Sequence, residues 1–321
     1  MFNAEHLGLL APEQYGSWKF YTAINQGLNK RLSFDILRQR KQRGALCSTD
    51  AMSCYDRIVH VAASLAMQRA GATESAVHCM LDTLQNLRHY IRTAFGDSLT
   101  YFDSNDGSGL PIGGTGQGSG ASPAIWALVS TPIFVAMRSR GYGVFLKCPI
   151  SGKMLHFAGP VFVNDSDLCV TNKSILYNKD QTNIFDIIQG AVTLWEGFIR
   201  TSGGAIRPDK SHWYLVDFEW EQGEWSYVEE EASDPKLMVR THKGDLEEIE
   251  RVATTDARRT VGVRLAPDGN NNTKIKYLKE EIKKWTDRAK IEQNSEIFNL
   301  DFTYDRYLSQ TYFPSSRYDN D

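Results

Sequence analysis

The spacing of apolar and polar positions along the chain predicts a mixture of helices and strands. Apolar residues recur every three or four positions, as in amphipathic helices, over residues 21–43, 55–69, 72–94, 124–140, 183–201 and 273–289. Short apolar or alternating runs predict strands at 46–49, 144–146, 154–157, 161–163, 168–170, 213–220, 225–227 and 258–265. The chain is therefore expected to contain both strands and helices.

Two of these predicted strands lead into carboxylates. The strand at 46–49 ends on Asp50, and a tight connection then enters the next helix. This arrangement is typical of a rigidly held metal-binding carboxylate, although Asp50 could instead only cap the following turn. Asn164-Asp165-Ser166-Asp167 separates the strands at 161–163 and 168–170 and predicts a β-hairpin with carboxylates at its tip. Such oxygen ligands suit Mg²⁺, but Asp165-Ser166-Asp167 also fits the DxD motif of glycosyltransferases.

A glycine-rich stretch, residues 113–120, leads into the helix predicted at 124–140. Free backbone N–H groups and the positive end of the helix dipole would make this an anion site. Gly116-x-Gly118-x-x-Ala121 fits a dinucleotide fingerprint, yet the next acidic residue is Asp165, far beyond the position expected for a ribose-binding acid. No Gly-Lys-Ser/Thr closes a Walker loop either. We therefore expect a phosphate or a backbone to bind here, outside those two folds.

The helix predicted at 21–43 is strongly basic toward its C-terminal end. Its apolar face would be formed by Ala23, Ile24, Leu28, Leu32, Ile36 and Leu37. Its cations are Lys30, Arg31, Arg38, Arg40, Lys41 and Arg43, against the single acid Asp35. These cations would either complement the helix dipole or contact phosphates.

Composition narrows the class of protein. The 321 residues are 41% hydrophobic, and no apolar run approaches the roughly 18 residues of a membrane span. The N-terminus has no signal-peptide pattern, and the five cysteines are scattered, so we expect an intracellular protein of the nucleus or cytoplasm. Net charge is −3, but residues 219–250 carry −8 and the remainder +5. We expect residues 229–250 to form an exposed acidic insertion. The weakly basic rest of the chain is compatible with a polyanionic partner.

Taken in order, these segments resemble the palm of a reverse transcriptase of the eukaryotic, non-LTR retrotransposon type. The matching segments are residues 50–58 (motif A), Gly116-Gln117-Gly118 with Ser122-Pro123 (motif B), Phe162-Val163-Asn164-Asp165 (motif C), Gly203-Gly204 to Lys210 (motif D) and Val261-Gly262-Val263 (the primer-grip strand). Glu13-Gln14-Tyr15-Gly16 is similar to a fingers motif that precedes motif A. The resemblance covers residues 13–290.

The resemblance implies an α+β fold, that of a right-hand polymerase: an antiparallel palm sheet backed by helices, partial fingers and a thumb remnant. Residues 1–45 would be partial fingers, residues 46–268 the palm with fingers-derived helices at 72–110, and residues 269–321 a thumb-like helix with a polar tail. It also implies an RNA-directed DNA polymerase, a nucleotidyltransferase that uses Mg²⁺, or Mn²⁺ in its place, with an RNA template, a DNA primer and dNTPs as partners.

Residue roles follow from the same resemblance. Asp50 and Asp165 would be the metal ligands, and Lys210 would protonate or neutralise the leaving pyrophosphate. The nucleotide contacts would be Ala51 (backbone), Tyr55 (against the sugar, favouring dNTP), Gln117 and Gly118. The nucleic-acid contacts would be Lys30, Arg31, Arg38, Arg40, Gly262 and Val263.

Two positions depart from the family pattern. Asn164 stands where the family has the first Asp of motif C, and it brings no negative charge to divalent cations. Trp18 stands where the family usually has an Arg that meets the triphosphate. A shifted pair, Asp165 and Asp167, could serve as ligands instead, although Val163 would then turn outward. We expect a truncated and impaired retroelement polymerase domain, or a palm that binds template–primer without turnover; a DxD glycosyltransferase is a more distant reading.

Overall fold

The computed structural model describes residues 2–16, 18–103, 113–148, 150–172 and 183–293, which fall into two compact units, Met1–Asn271 and Asn272–Asp321. The helices of the described residues are α1 (Phe2–His6), α2 (Ala23–Arg40), α3 (His60–Arg69), α4 (Glu74–Gln85), α5 (Ser122–Ser139), α6 (Ile184–Thr201) and α7 (Asn272–Gln293). The strands are β1 (Gly44–Thr49), β2 (His89–Thr93), β3 (Gly96–Phe102), β4 (Val144–Lys147), β5 (Met154–Phe157), β6 (Val161–Phe162), β7 (Asp165–Thr171), β8 (His212–Val216), β9 (Phe218–Glu221), β10 (Glu224–Tyr227), β11 (Leu237–Arg240), β12 (Leu246–Arg251), β13 (Arg258–Thr260) and β14 (Val263–Leu265).

A six-stranded sheet in the order β11-β12-β8-β1-β7-β6 organises the first unit. The strand β1 lies at its centre and pairs antiparallel with β7 on one side and with β8 on the other. The pair β12–β8 is parallel, and the other pairs in this sheet are antiparallel. The expected mixture of a sheet and helices is therefore confirmed.

The larger hydrophobic core covers one face of this sheet. Helix α6 begins after Asn183, whose side chain accepts a hydrogen bond from the Phe185 N–H, and it packs on β1 and β7. Its apolar stripe buries Ile188 and Trp195 completely or nearly so. Helix α5 begins with Ser122, carries a proline in its first turn and packs against α6 and α3. Helix α6, supported by α5, thus covers one face of the central strands.

Helix α2 lies against the other face, and its orientation differs from the prediction. Its buried residues are Gln26, Gly27, Lys30, Ser33, Phe34 and Leu37, while Ile24, Leu28 and Leu32 of the predicted apolar face are about half exposed. Phe34 and Leu37 pack with Leu46 and Tyr214 of the sheet. The helix was predicted correctly, but the face that it buries was not. Its buried face includes polar side chains that find hydrogen-bond partners inside the protein, which an apolar pattern cannot indicate.

The helix predicted at 72–94 is only partly confirmed. Helix α4 ends at Gln85, and β2 then pairs with β3 as an antiparallel hairpin. Tyr90, Ile91 and Thr93 have the branched or aromatic side chains that favour strands, which explains the change. Residues 104–110, at the end of the predicted fingers helices, lie outside the described residues.

The acidic segment is not a wholly exposed insertion. Strands β11 and β12 form a hairpin that extends the central sheet, with β12 running parallel to β8. Leu237, Val239 and Ile249 are buried in the core, while the acidic side chains of β12 are exposed. Three buried apolar residues in this segment were therefore sufficient to build strands despite its charge.

Two other boundaries also differ from the prediction. The predicted helix 55–69 consists of a short 3₁₀ turn, Tyr55–Arg57, and then α3. The strand predicted at 258–265 is a hairpin, β13–β14, that turns at Val261 and Gly262, both of which have a positive φ. Val261-Gly262 is therefore a turn rather than part of a continuous primer-grip strand.

The second unit contains α7, a highly charged helix of 22 residues. The polar tail expected after it, residues 294–321, lies outside the described residues. Within the described part of the chain, no helix combines the length and apolar character needed to cross a bilayer.

Candidate functional site

Two carboxylates from separate strands lie side by side at one end of the sheet. Thr49 is paired with Ser166 in the β1–β7 ladder, so that Asp50, which follows β1, lies opposite Asp165, which begins β7. Ser48 and Asp167, two positions earlier and later, share a hydrogen bond on the same face. Asp50 and Asp165 therefore belong to one face of the sheet and lie together where β1 ends and β7 begins, which we call the carboxylate end of the sheet.

The electrostatics at this end of the sheet disfavour two ionised carboxylates without a cation. Burial raises the pKa of Asp165, and the negative charges of Asp50 and Asp167 raise it further. Burial also raises the pKa of Asp50, while the cations Lys210 and Arg207 act in the opposite direction. A divalent cation beside both groups would relieve this repulsion.

The connection 205–211 holds Asp50 from the neighbouring side. The Arg207 N–H donates to the Asp50 carbonyl at 2.9 Å, and the Asp50 N–H donates to Ser211 Oγ at 3.2 Å. Lys210 ends a short 3₁₀ turn in this connection and lines the same cavities as Asp50. Among the described residues, the 3₁₀ turn Tyr55–Arg57 that follows Asp50 has no side-chain cap.

A cavity of about 270 Å³ lies on one side of Asp50 and gathers most of the residues assigned to nucleotide binding. It is lined by Asp50, Ala51, Met52, Ser53, Cys54, Tyr55, Gln117, Asn164, Arg207 and Lys210. The structure thus brings Ala51, Tyr55 and Gln117 together with Asn164 and Lys210, although they come from four separate parts of the chain.

The glycine-rich loop is docked on the turn that follows Asp50. The Thr115 N–H donates to the Tyr55 carbonyl at 2.8 Å, and the Gln117 N–H donates to Asp56 Oδ1 at 2.8 Å. A Cβ at Gly114 would lie 2.5 Å from the backbone of Asp56, so this close approach requires glycine. Gly118 lies beyond this contact and is exposed. The docking places Gln117 at the cavity.

A second cavity of about 470 Å³ lies on the other side of Asp50 and Asp165. Its lining includes the predicted residue Gly262 at the β13–β14 turn, whereas Val263 begins β14. It is also lined by four residues that were not predicted from the sequence: Gln26, His212, Arg259 and Thr260. The basic run 258–265 was a signal for Arg259, but nothing in the pattern indicated Gln26, because it lies far from the carboxylates in sequence.

Lys30 does not face solvent, and the expectation that it contacts a phosphate is corrected. It is 1% exposed, and its Nζ donates to Asp167 Oδ1 at 2.7 Å, Ser48 Oγ at 2.8 Å and Thr260 Oγ1 at 2.7 Å. Gln26 Nε2 donates to the other Asp167 oxygen at 3.2 Å. The shifted ligand pair Asp165–Asp167 is therefore contradicted, because Asp167 is already satisfied inside the protein, and the DxD reading loses its second carboxylate.

The three arginines of α2 have different surroundings. Arg31 and Arg38 are partly exposed and form ion pairs with Asp35, and each also donates to a backbone carbonyl of residues 268–269. Arg40 is exposed near the end of the helix. Contact between these arginines and nucleic acid stays a prediction.

The oxygen ligands at the carboxylate end of the sheet fit a divalent cation such as Mg²⁺. Mg²⁺ binds through one or two carboxylates and completes its coordination with water and substrate phosphates. Asp50 and Asp165 supply two carboxylates, and the next oxygen at the hairpin tip is the neutral amide of Asn164. Among the described residues, no group of three or more His, Cys, Asp or Glu side chains is assembled for a metal. The fit therefore rests on two charged ligands.

His212 is expected to make the stability of this region depend on pH. Burial, followed by the positive charge of Lys30, lowers the pKa of His212 to about 4, and its Nε2 has no hydrogen-bond partner among the described residues. The unfolded chain takes up this proton near pH 6.5 and the folded chain only near pH 4, so stability is lost as pH falls through this window. The total loss of unfolding free energy is at most about 3.5 kcal/mol.

We expect His212→Phe, which keeps a ring against Tyr214 but cannot titrate, to remove this dependence. Urea denaturation in EDTA at several pH values between about 7 and 4 would measure it. The free energy of unfolding of the unchanged protein should fall relative to that of the variant as pH decreases. Parallel pH curves for the two proteins would contradict the prediction.

No protein-family model matches the chain, and no curated protein matches it. Among solved structures, the chain is similar to apo telomerase from Candida tropicalis truncated from the C-terminal domain, with 12% identity and a TM-score of 0.38 over 74% of this chain and 41% of that one. It is also similar to telomerase from Candida albicans in complex with a TWJ fragment of telomeric RNA, with 11% identity and a TM-score of 0.42 over 87% of this chain and 41% of that one. The chain thus spans about two fifths of the length of these telomerase chains.

Proposed function

We propose that this chain is a reverse transcriptase-like domain of a retroelement, an RNA-directed DNA polymerase whose activity is limited by Asn164. The observation that carries the proposal is the placement of Asp50 and Asp165 opposite each other on β1 and β7. Convergence of carboxylates from two separate strands is the arrangement that nucleotidyl transfer requires, since both must reach the same ions. Lys210 and Gln117 of the glycine-rich loop line the cavity beside Asp50, and this supports the proposal.

Asp50 and Asp165 would hold Mg²⁺, which when bound would activate the primer 3′-oxygen and compensate phosphate charge. The smaller cavity would take the dNTP: Tyr55 would pack against its sugar and exclude a ribose 2′-hydroxyl, while Gln117 and Gly118 would contact the base or backbone. Lys210 would give a proton to the leaving pyrophosphate or neutralise its charge.

The larger cavity, with Arg259 and Gly262 at its rim, would take the end of the primer. Arg31, Arg38 and Arg40 of α2 would contact the phosphates of an RNA template or DNA primer. The ion pairs with Asp35 reduce the free charge of the first two, so Arg40 is the most available of these cations.

A second candidate function is binding of template–primer without turnover, as in a decaying or domesticated retroelement palm. It is favoured by the neutral amide of Asn164 at the hairpin tip and by Trp18, which brings no cation to a triphosphate. This function would keep the nucleic-acid contacts and lose the chemistry.

Primer extension with an RNA template and a DNA primer in Mg²⁺ and in Mn²⁺ tests the proposal. We expect the Asn164→Asp protein to extend the primer in a template-directed manner. Adding Asp50→Asn to that protein should lower the rate by at least about 10²–10³-fold, because a preorganised charge is lost.

Template–primer binding, followed by fluorescence anisotropy in the same samples, separates the two functions. Binding without extension by the Asn164→Asp protein would favour the non-catalytic function. Failure to bind, or extension that survives Asp50→Asn, would contradict the polymerase proposal.

A further inference from the structure

The tip of the β6–β7 hairpin carries an unusual backbone conformation. Phe162 is paired with Asp165, which leaves Val163 and Asn164 as the two residues of the turn. Val163 has a φ of +59° and is the first of the two, a position where hairpin turns favour glycine. A β-branched residue in this region is strained and persists only where surrounding contacts hold it. The contacts that hold Val163 therefore also decide where Asn164 and Asp165 point.

The side chain of Gln14 supplies most of these contacts. Its Oε1 accepts from the Val163 N–H at 2.8 Å, and its Nε2 donates to the Val163 carbonyl at 3.1 Å. The carboxamide thus satisfies both backbone groups of the strained residue, as a neighbouring strand would. Gln14 is 1% exposed, so water cannot replace these bonds.

The segment around Gln14 is itself fixed on β6. The Tyr15 N–H donates to the Val161 carbonyl at 2.7 Å, and the Val161 N–H donates to the Glu13 carbonyl at 2.9 Å. A Cβ on Gly16 would lie 2.5 Å from Val163 Cγ2, so the chain passes directly over the tip. The Trp126 indole N–H donates to the same Val163 carbonyl at 2.6 Å. The tip is therefore enclosed between the N-terminal segment and α5.

We infer that Gln14 is a positioning residue that holds the Val163 peptide so that Asn164 and Asp165 face Asp50. This inference rests on the proposed function, since it concerns the aim of the metal-binding hairpin. Gln14 lies in sequence far from the carboxylates and touches neither of them, so it acts only through the backbone of the tip. Its loss should weaken metal binding without removing a ligand.

Gln189 provides a matched control. Its carboxamide makes the same two bonds to another backbone residue, accepting from the Met238 N–H at 2.9 Å and donating to the Met238 carbonyl at 2.9 Å. Met238 lies in β11, at the opposite edge of the sheet from β6. Replacing either glutamine by Met removes the same pair of side-chain to backbone hydrogen bonds. Only Gln14 lies next to the end of the sheet that carries Asp50 and Asp165.

The test measures Mn²⁺ binding by electron paramagnetic resonance, and the Mn²⁺ dependence of primer extension, in the Asn164→Asp protein. We expect added Gln14→Met to raise the Mn²⁺ concentration for half-saturation by about 10–100-fold, as for residues that orient metal ligands. Added Gln189→Met should leave this concentration unchanged. If Gln14→Met does not fold, Gln14→Glu carries the test, because it keeps the acceptor for the Val163 N–H and loses the donor to the Val163 carbonyl.

The outcomes separate the two proposals. A shift with the Gln14 variant and none with the Gln189 variant supports the positioning role. Equal Mn²⁺ dependence in the two variants overturns it, while extension by the Asn164→Asp protein would leave the polymerase proposal standing. If that protein binds Mn²⁺ without extending a primer, the polymerase proposal fails, and the Mn²⁺ titrations still decide the role of Gln14. Absence of Mn²⁺ binding in all variants overturns both.

Discussion

Replacing Asn164 by Asp is expected to raise the rate of primer extension by on the order of 10²–10³-fold. Asn164 lies at the hairpin tip beside Asp165 and lines the cavity that Asp50 and Lys210 also line. Its amide can offer an oxygen to a cation but no negative charge, and charge compensation dominates sites that hold divalent ions with phosphates. The aspartate side chain has nearly the same shape, so the change adds charge without altering the packing of the tip.

The measurement is the single-turnover rate at saturating Mg²⁺ for the unchanged protein and for Asn164→Asp. Asn183→Asp is a suitable control, because Asn183 caps α6 through an acceptor oxygen that aspartate also provides. The control should match the unchanged protein. Equal rates for the unchanged protein and Asn164→Asp would show that position 164 is not a ligand position.

Replacing Lys30 by Met is expected to lower the free energy of unfolding by about 3–5 kcal/mol. The Lys30–Asp167 ion pair is almost completely enclosed, with side-chain exposures of 1% and 3%. Removing the ammonium leaves the Asp167 carboxylate buried with only the hydroxyl of Ser48 and the amide of Gln26 as donors. It also removes the hydrogen bond from Lys30 Nζ to Thr260 Oγ1, which links α2 to β13.

Urea denaturation would measure this loss, with two variants for comparison. The double change Lys30→Met/Asp167→Leu should recover much of the stability, because both charges then leave the interior together. Lys236→Met breaks an exposed pair with Glu248, 2.6 Å apart, and should cost no more than about 1 kcal/mol. A cost for Lys30→Met as small as that for Lys236→Met would contradict the buried network.

Local patterns were sufficient for the elements that carry the candidate site. Asp50 follows a buried strand as the sequence predicted, because strands and tight turns are specified by near neighbours. The hairpin at 161–171 was also predicted, but its turn is Val163-Asn164, so Asp165 and Asp167 lie in β7 and not in the tip. The helices α2, α5 and α6 were likewise predicted from their periodicity. The Asn183 cap and the proline in the first turn of α5 also act locally.

Other features were decided by contacts between distant segments. Strands β11 and β12 join the sheet in spite of their acidic residues, since Val239 and Ile249 find a core that the sequence does not reveal. The polar stretch before α2 supplies Gln14 to the β6–β7 tip, a contact across 149 residues. No periodicity reports such a contact, because one carboxamide among polar neighbours looks like a surface residue.

The sequence by itself determined the order of the elements, the two carboxylates at strand ends and the substitution of Asn164 at the tip. Only the tertiary structure decided which cations are available to a ligand. Lys30 was predicted to be a surface cation, yet it is buried against Asp167, and α2 turns its Gln26–Lys30 face inward while Ile24 and Leu28 remain exposed. The physical reason is that a buried ion pair gains its stability from partners on β1, β7 and β13, which come together only when the whole sheet is formed.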